Sequence, residues 1–400
     1  MARFDVIVVG AGVAGSMTAA LLGRQGFRVL LLEQATFPRP KICGEGLMPA
    51  GAEILHRHGL LEDLKLKGAR SFSGITLHLP GDLHLDLDFK EVSPRACGWV
   101  VPRLSLDDRL ASFAADQPGV ELCQGFQVRS AHIGKEQAEV TGQHEGRPAT
   151  HSAHLLVGAD GIRSRFHHDF GVLRRRRPSP RFGLSSLYAH LAGTGDRVEV
   201  HCSEAGEAYV APLSEGAARI TLLLSEATRR QGRVQLSDYY FHALKRFPKL
   251  VERLKTPYPE QLVESTAGVS LQVSQCHGPR LLLVGDAAGA VDPVTGQGMT
   301  VALKDAETAS DFLRTRLSEA RLSGDDLSPY TALRSRYFKP AVEMAQLVLF
   351  MVQRPGAARR ALRALSRNPG LREKTIRMAS KVSGTHALSS RDKGRLFLGF

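Results

Sequence analysis

The chain has 400 residues, 43% of them hydrophobic, enough for two domains of ordinary size around a sizeable core. Its five cysteines, Cys43, Cys97, Cys123, Cys202 and Cys276, include no C-x-x-C pair, and an odd count at irregular spacing argues against a disulfide framework or a cysteine zinc site and for reduced cytoplasmic thiols. The net charge of +13 is concentrated in residues 351–400, where twelve Lys or Arg face only Glu373 and Asp392; with few aromatics to stack on bases, such a tail argues against nucleic acid and leaves an anionic lipid surface, an acidic partner or plain solubility.

Met1 to Asp5 leads straight into the apolar run Val6–Val9, so the sequence predicts a mature chain that starts in a fold strand with no leader ahead of it. The longest comparable apolar stretch, Ala345–Val352, falls well short of the roughly 20 residues a membrane-spanning helix needs. Phe4–Gly10 reads as a buried parallel strand rich in β-branched residues. Gly10, Gly12 and Gly15, with Ala14 between, then allow a tight turn, close approach to a pyrophosphate and packing of a helix predicted over Val13–Arg24. A second strand, Arg28–Glu33, ends in an acid placed to accept hydrogen bonds from ribose hydroxyls, followed by Gln34.

Two later signatures repeat the strand-then-acid pattern. His154–Val157 runs into Gly158-Ala-Asp160-Gly161, and Arg280–Val284 runs into Gly285-Asp286-Ala-Ala-Gly289. A glycine loop, Val291-Asp-Pro293-Val-Thr-Gly296-Gln-Gly298-Met299, then opens a helical pattern over Thr300–Arg314. Together with Val100–Leu110, where Arg103 begins an R-x-x-L-D-x-x-L run, these segments resemble group A flavoprotein monooxygenases and the related geranylgeranyl reductase-like enzymes. The resemblance implies FAD as cofactor, with Gly10, Gly12, Ala14, Gly15, Glu33, Gln34, Arg103, Asp160, Gly161, Gly285, Asp286, Pro293, Gly296, Gly298 and Met299 beside it, and NADPH or NADH as transient reductant. A helix end at Gly296–Met299 would stabilise negative charge on the reduced flavin.

Phe37–Pro49, with Lys41-Ile-Cys43-Gly44-Glu45-Gly46, resembles the reductase branch and related halogenases. Cys43 is the one candidate catalytic residue, as a proton donor beside the flavin; the competing reading is an inert packing thiol. Halogenases of this superfamily carry W-x-W-x-I-P, which a chain whose single tryptophan is Trp99 lacks. The reductases carry an aromatic-rich Tyr-Trp-Phe-Pro segment where this chain reads Ala208-Tyr209-Val-Ala-Pro212-Leu213.

The fold expected is α/β: a Rossmann-like FAD-binding domain from 1–72, 98–172 and 265–340, and an antiparallel-sheet substrate domain from 73–97 and 173–264. A basic helical region, 341–400, completes it. The substrate sheet is predicted from Arg197–His201, Ala208–Leu213 and Arg219–Leu224, joined by Gly74–Phe89, which alternates closely over Leu83–Phe89 and whose His84, Asp86 and Asp88 read as solvent-facing. No metal site is expected. Arg174–Arg177 with Pro178–Pro180 reads as a solvated crossover, with docking of a nicotinamide phosphate as the alternative. The basic C-terminal helices are expected to pack over the substrate cavity, with peripheral contact at the inner face of the membrane as the competing role.

The resulting expectation is a cytoplasmic FAD-dependent monooxygenase acting with NAD(P)H and O2 on a hydrophobic aromatic or polyketide-like small molecule. The alternatives are a geranylgeranyl reductase-like enzyme acting on C=C bonds of an unsaturated lipid, and a flavin-binding partner without turnover. His78, His84, His190, His201 and Tyr209 are all open as the catalytic base.

Overall fold

The structure is a computed structural model describing residues 4–79, 83–169, 174–176, 181–225, 235–256, 259–267, 269–380 and 388–398. Phe4–Val9, buried except at Asp5, pairs in parallel with Val29–Leu32 on one side and Arg147–Gly158 on the other. A strand covered on both faces has to be apolar throughout, and Val6–Val9 and Val29–Leu32 are. Val120–Cys123 extends this sheet beyond Val29–Leu32, and Leu281–Leu283 extends it beyond Arg147–Gly158, both in parallel. Chain segments from the start, middle and end of the sequence therefore lie side by side. The helices Val13–Arg24, Arg103–Ala115 and Gly298–Ser318 pack on this sheet in one continuous core.

Among the described residues a second sheet has seven strands, in the order Glu264–Ala267, Arg181–Tyr188, Ala217–Ser225, Gly206–Ser214, Arg197–Ser203, Gly74–Leu79 and Leu83–Asp88. All neighbours are antiparallel except Gly74–Leu79 with Arg197–Ser203, where the two excursions from the first sheet meet. One face buries Leu184, Ala208, Val210 and Leu222 against the helix Leu236–Leu244. The opposite face, carrying Ile75, Leu77, Val198 and Val200, meets apolar residues of the C-terminal helices.

Those helices, Pro329–Val352, Pro355–Arg367, Pro369–Ser380 and Ser390–Leu398, share a cluster around Met344, Leu365, Leu371 and Leu396. The first begins well before Pro340, where the sequence placed the start of the helical region; the proline sits inside the helix and removes one intrahelical hydrogen bond without ending it. No helix among the described residues is long and apolar enough to cross a membrane. Along Leu83–Asp88 the expected alternation holds for His84 and Asp86, which are exposed. Asp88 departs from it: half-buried at the strand end, it pairs with Arg197 at 2.7 Å and accepts the Lys90 N–H at 2.8 Å. Of the basic crossover, Arg174–Arg176 forms a short strand against Gln272–Val273, while Arg177–Pro180 lie outside the described residues.

Candidate active site

The three glycine signatures touch. Gly10, at φ +100°, ends the first strand, and a Cβ there would lie 2.5 Å from the carbonyl oxygen of Ala159, next to Asp160. A Cβ on Gly15 would fall 1.8 Å from the Gly10 oxygen, so that glycine lets the helix Val13–Arg24 close onto its own turn. At Gly285, with φ +61°, the hypothetical Cβ meets the Ala14 side chain at 2.8 Å, which seats the third signature on the same helix.

Gly12 differs from its neighbours because it faces open space. It caps the helix without a side-chain partner, and the atoms nearest an added Cβ are Arg39 Nη2 at 3.8 Å and Lys41 Nζ at 4.0 Å. Arg39 pairs with Glu33 at 3.4 Å and with buried Asp107 at 3.0 Å. Asp107 also takes two hydrogen bonds from Arg103, at 2.8 and 2.7 Å. Lys41 lies within electrostatic reach of Arg103, Asp286 and Asp107; desolvation by the surrounding protein, then Arg103, lowers its pKa, even though the residue still exposes surface. Free amides at a helix N-terminus facing Arg39 and Lys41 form an anion cradle. Glu33 accepts the Ala11 and Ala35 N–H groups, each at 3.0 Å, so it orders the glycine turn while retaining lone pairs for hydroxyl donors. Gln34 lies exposed at the rim.

Asp286 sits half-buried in the turn Gly285–Ala288. The following loop turns through Pro293 and Gly296, at φ +64°, into the helix that opens at Gly298 with Met299 buried behind it. An added Cβ at Gly298, Gly161, Gly44 or Gly46 would meet nothing within 4 Å, so these backbones border unfilled space. Asp160 accepts the Arg165 N–H at 3.0 Å through one carboxylate oxygen, and burial raises its pKa. Its other oxygen, like Thr295 Oγ1 next to Gly296, is buried without a hydrogen-bond partner. Such orphaned groups around a void are what a polar ligand would satisfy.

Cys43 lies on the same wall. Its sulfur accepts the Glu45 N–H at 3.3 Å and lies beside the Arg103 guanidinium. Glu45 in turn accepts the Arg103 N–H at 3.0 Å and pairs with Arg219 of the second sheet at 2.7 Å, so this segment fastens the two sheets together.

Sequence reasoning missed a buried polar group on the second sheet opposite the glycine loop. Arg181 binds Asp292 at 2.8 Å and is in close contact with Glu207. Burial outweighs Arg181 and pushes the Glu207 carboxyl up to about 7. Tyr209, which shares this face, is half-buried, with its hydroxyl oxygen buried and unpartnered. Alternation along Gly206–Ser214 was the available signal, since it sends Glu207, Tyr209 and Ala211 to one side. Of the five candidate bases, Tyr209 alone has that placement: His84 and His190 are exposed, and His78 and His201 lie on the opposite face.

The model of the family described as FAD binding domain matches residues 3–345. The chain belongs to that family. Among curated proteins, this FAD binding domain protein is 29% identical to the menaquinone reductase of Mycobacterium tuberculosis over 330 residues, covering 78% of this chain and 77% of that one. It is 28% identical to the digeranylgeranylglycerophospholipid reductase of Thermoplasma volcanium, covering 82% and 81%. Among solved structures it superimposes on PqsL, a probable FAD-dependent monooxygenase from Pseudomonas aeruginosa, with a TM-score of 0.72 at 25% identity, covering 88% and 97%. A flavoprotein/dehydrogenase from Cytophaga hutchinsonii gives a TM-score of 0.80 at 20% identity over 94% and 92%, a likeness of fold alone. The cradle at Gly12, the cations Arg39 and Lys41 and the orphaned polar atoms around the open glycines fit the FAD that the family binds.

Proposed function

We propose that this FAD-dependent oxidoreductase is a monooxygenase that uses NAD(P)H and O2 to hydroxylate a hydrophobic aromatic or polyketide-like small molecule. One observation carries the reading. Gln297 of the glycine loop donates a hydrogen bond from Nε2 to the Met378 carbonyl at 3.0 Å, tying the loop to the C-terminal helix Pro369–Ser380. That helix packs Ile376 with Phe72, Phe89 and Ala211 on the inner face of the second sheet. In this reading the apolar helix closes over the space beside the loop, which would suit a lipophilic substrate and keep water from reactive oxygen chemistry.

When bound, FAD supplies the redox chemistry, taking electrons from NAD(P)H and passing them to O2. The chain's own residues bind and orient. In this proposal Gly12, Arg39 and Lys41 would hold the pyrophosphate, Glu33 the ribose and Asp286 the ribityl chain, and the helix start at Gly298 would favour negative charge on the reduced flavin. Glu207, held by Arg181, and the Tyr209 hydroxyl are the groups placed to move a proton at the substrate. The basic face of Pro355–Arg367, with Arg359, Arg363 and Arg367 exposed and Ala357, Ala361 and Ala364 packed inward, is proposed to rest on anionic lipid from which such a substrate is drawn.

A second reading, reduction of a C=C bond in an isoprenoid lipid, is favoured by the Arg103 contact to Cys43 and by the reductases among the relatives. The deciding experiment supplies the purified holoprotein with NADPH or NADH, 18O2 and panels of lipophilic phenols and polyprenyl lipids. Label in a hydroxylated product is the expected result. A product that instead gains two hydrogens and no label replaces the monooxygenase with the reductase.

A further inference from the structure

The outer face of the second sheet carries a cluster that the flavin site does not use. His78 and His201 are register partners on adjacent parallel strands, and Glu199 lies two residues before His201 on the same face. The two imidazoles stack with centroids 4.2 Å apart at 13°. Both present Nε2 to one carboxylate oxygen, Glu199 Oε2, at 3.2 Å from His78 and 3.1 Å from His201. The ligand atoms of the three residues all lie within 4.8 Å of one another. A single oxygen serves the two rings poorly, and His78 Nε2 is left buried without a well-formed hydrogen bond.

We propose that His78, His201 and Glu199 bind one first-row transition dication of the zinc class. Two imidazole nitrogens and a carboxylate oxygen are the donor set such ions take, whereas Ca2+ and Mg2+ call for six or more oxygens. Arg253 supplies the outer support, donating to Glu199 Oε2 at 2.6 Å and Oε1 at 2.9 Å, and anchoring itself on the Ala192 and Gly193 carbonyls at 2.9 and 3.1 Å. A hydrogen-bonded carboxylate holds a fixed orientation toward a metal and keeps a lone pair for it. His78 and His201 border a cleft of about 430 Å³ with Ser203, Arg246 and Phe247, which gives an ion access and leaves room for water in a fourth position.

The site is structural rather than redox, since it lies on the side of the sheet away from the glycine loop. A metal there would bolt together Gly74–Leu79 and Arg197–Ser203, the one parallel pairing in the sheet among the described residues. The sequence reading expected no metal; His78 lies far along the chain from Glu199 and His201, so no spacing motif marks the three as a set. The test strips the flavin-loaded protein with a chelator, dialyses it against Zn2+, counts zinc by elemental analysis and follows thermal unfolding. One zinc per chain and a zinc-dependent rise in Tm are expected, both lost in His78→Asn and in His201→Asn. His78, the more exposed ligand, is the substitution least able to disturb folding, so it decides the matter if His201→Asn does not fold. Absence of stoichiometric zinc in the wild type, or zinc retained in full by His78→Asn as it would be on the cysteines, overturns the proposal.

Discussion

Arg334 sets its Nε 2.9 Å from both carboxylate oxygens of Asp305, and this buried pair holds the Gly285–Gly289 turn in place. Asp305 accepts the Gly285 N–H at 2.8 Å and the Tyr337 hydroxyl at 2.7 Å, while Arg334 donates to the carbonyls of Ala288 at 2.8 Å and Gly289 at 3.0 Å. Removing one partner strands the other as an uncompensated buried charge, which costs about 3–5 kcal/mol. Arg334→Met is therefore expected to lower the urea midpoint sharply and to weaken FAD retention, because Asp286 loses its fixed position. Wild-type stability in that variant would show that the turn is held by something else.

Glycine substitutions are expected to divide by direction. Gly15→Ala places a methyl 1.8 Å from a backbone oxygen that cannot yield, so it should compromise folding itself. Gly12→Val meets only the far ends of Arg39 and Lys41, so the protein should fold but release its flavin, as the backbone can no longer approach the pyrophosphate. Circular dichroism reads the first effect and absorbance of the purified protein the second. Full flavin content in Gly12→Val would remove the cradle from this position.

Glu207 makes stability depend on pH. Its folded pKa of about 7 lies above the ordinary 4.5, so the folded state keeps a proton that the unfolded chain gives up between those values. Its contribution is fully present below pH 4.5, declines as pH rises and is gone above about 7, at 1.36 kcal/mol per unit a total on the order of 3 kcal/mol. Glu207→Gln should flatten that decline, as measured by denaturant unfolding at pH 5, 6 and 7. An unchanged slope would mean that Arg181 holds the carboxylate ionised throughout.

Short-range pattern made the first sheet legible, because glycines at 10, 12 and 15 and the acids 33, 160 and 286 each follow an apolar strand within a few residues. The second sheet was legible as strands, but its pairing order was not, since that depends on where two excursions of the chain meet. Polar partnerships were the least visible part. Arg334 with Asp305, Arg219 with Glu45 and Arg181 with Glu207 are pairs whose members are 29, 174 and 26 residues apart, and nothing in their local composition marks one as the other's partner. Cys43 could be placed in a conspicuous segment, yet its contact with Arg103 needed the fold.

The bond from Gln297 to Met378 leads to a prediction about coupling. It is a single hydrogen bond between a buried side chain and a backbone carbonyl, and its loss costs about 0.5–1.5 kcal/mol. Gln297→Leu keeps the volume but not the donor, so the helix Pro369–Ser380 should lift from the loop more often and admit water. The variant is expected to bind FAD normally and to oxidise NAD(P)H at a comparable rate, while releasing several-fold more hydrogen peroxide per reductant consumed. Peroxide yield against NAD(P)H consumption, measured with and without a lipophilic phenol, reads this directly. A variant as tightly coupled as the wild type would show that the C-terminal cap does not guard the site, and the case for oxygen chemistry in a water-poor chamber would lose its structural support.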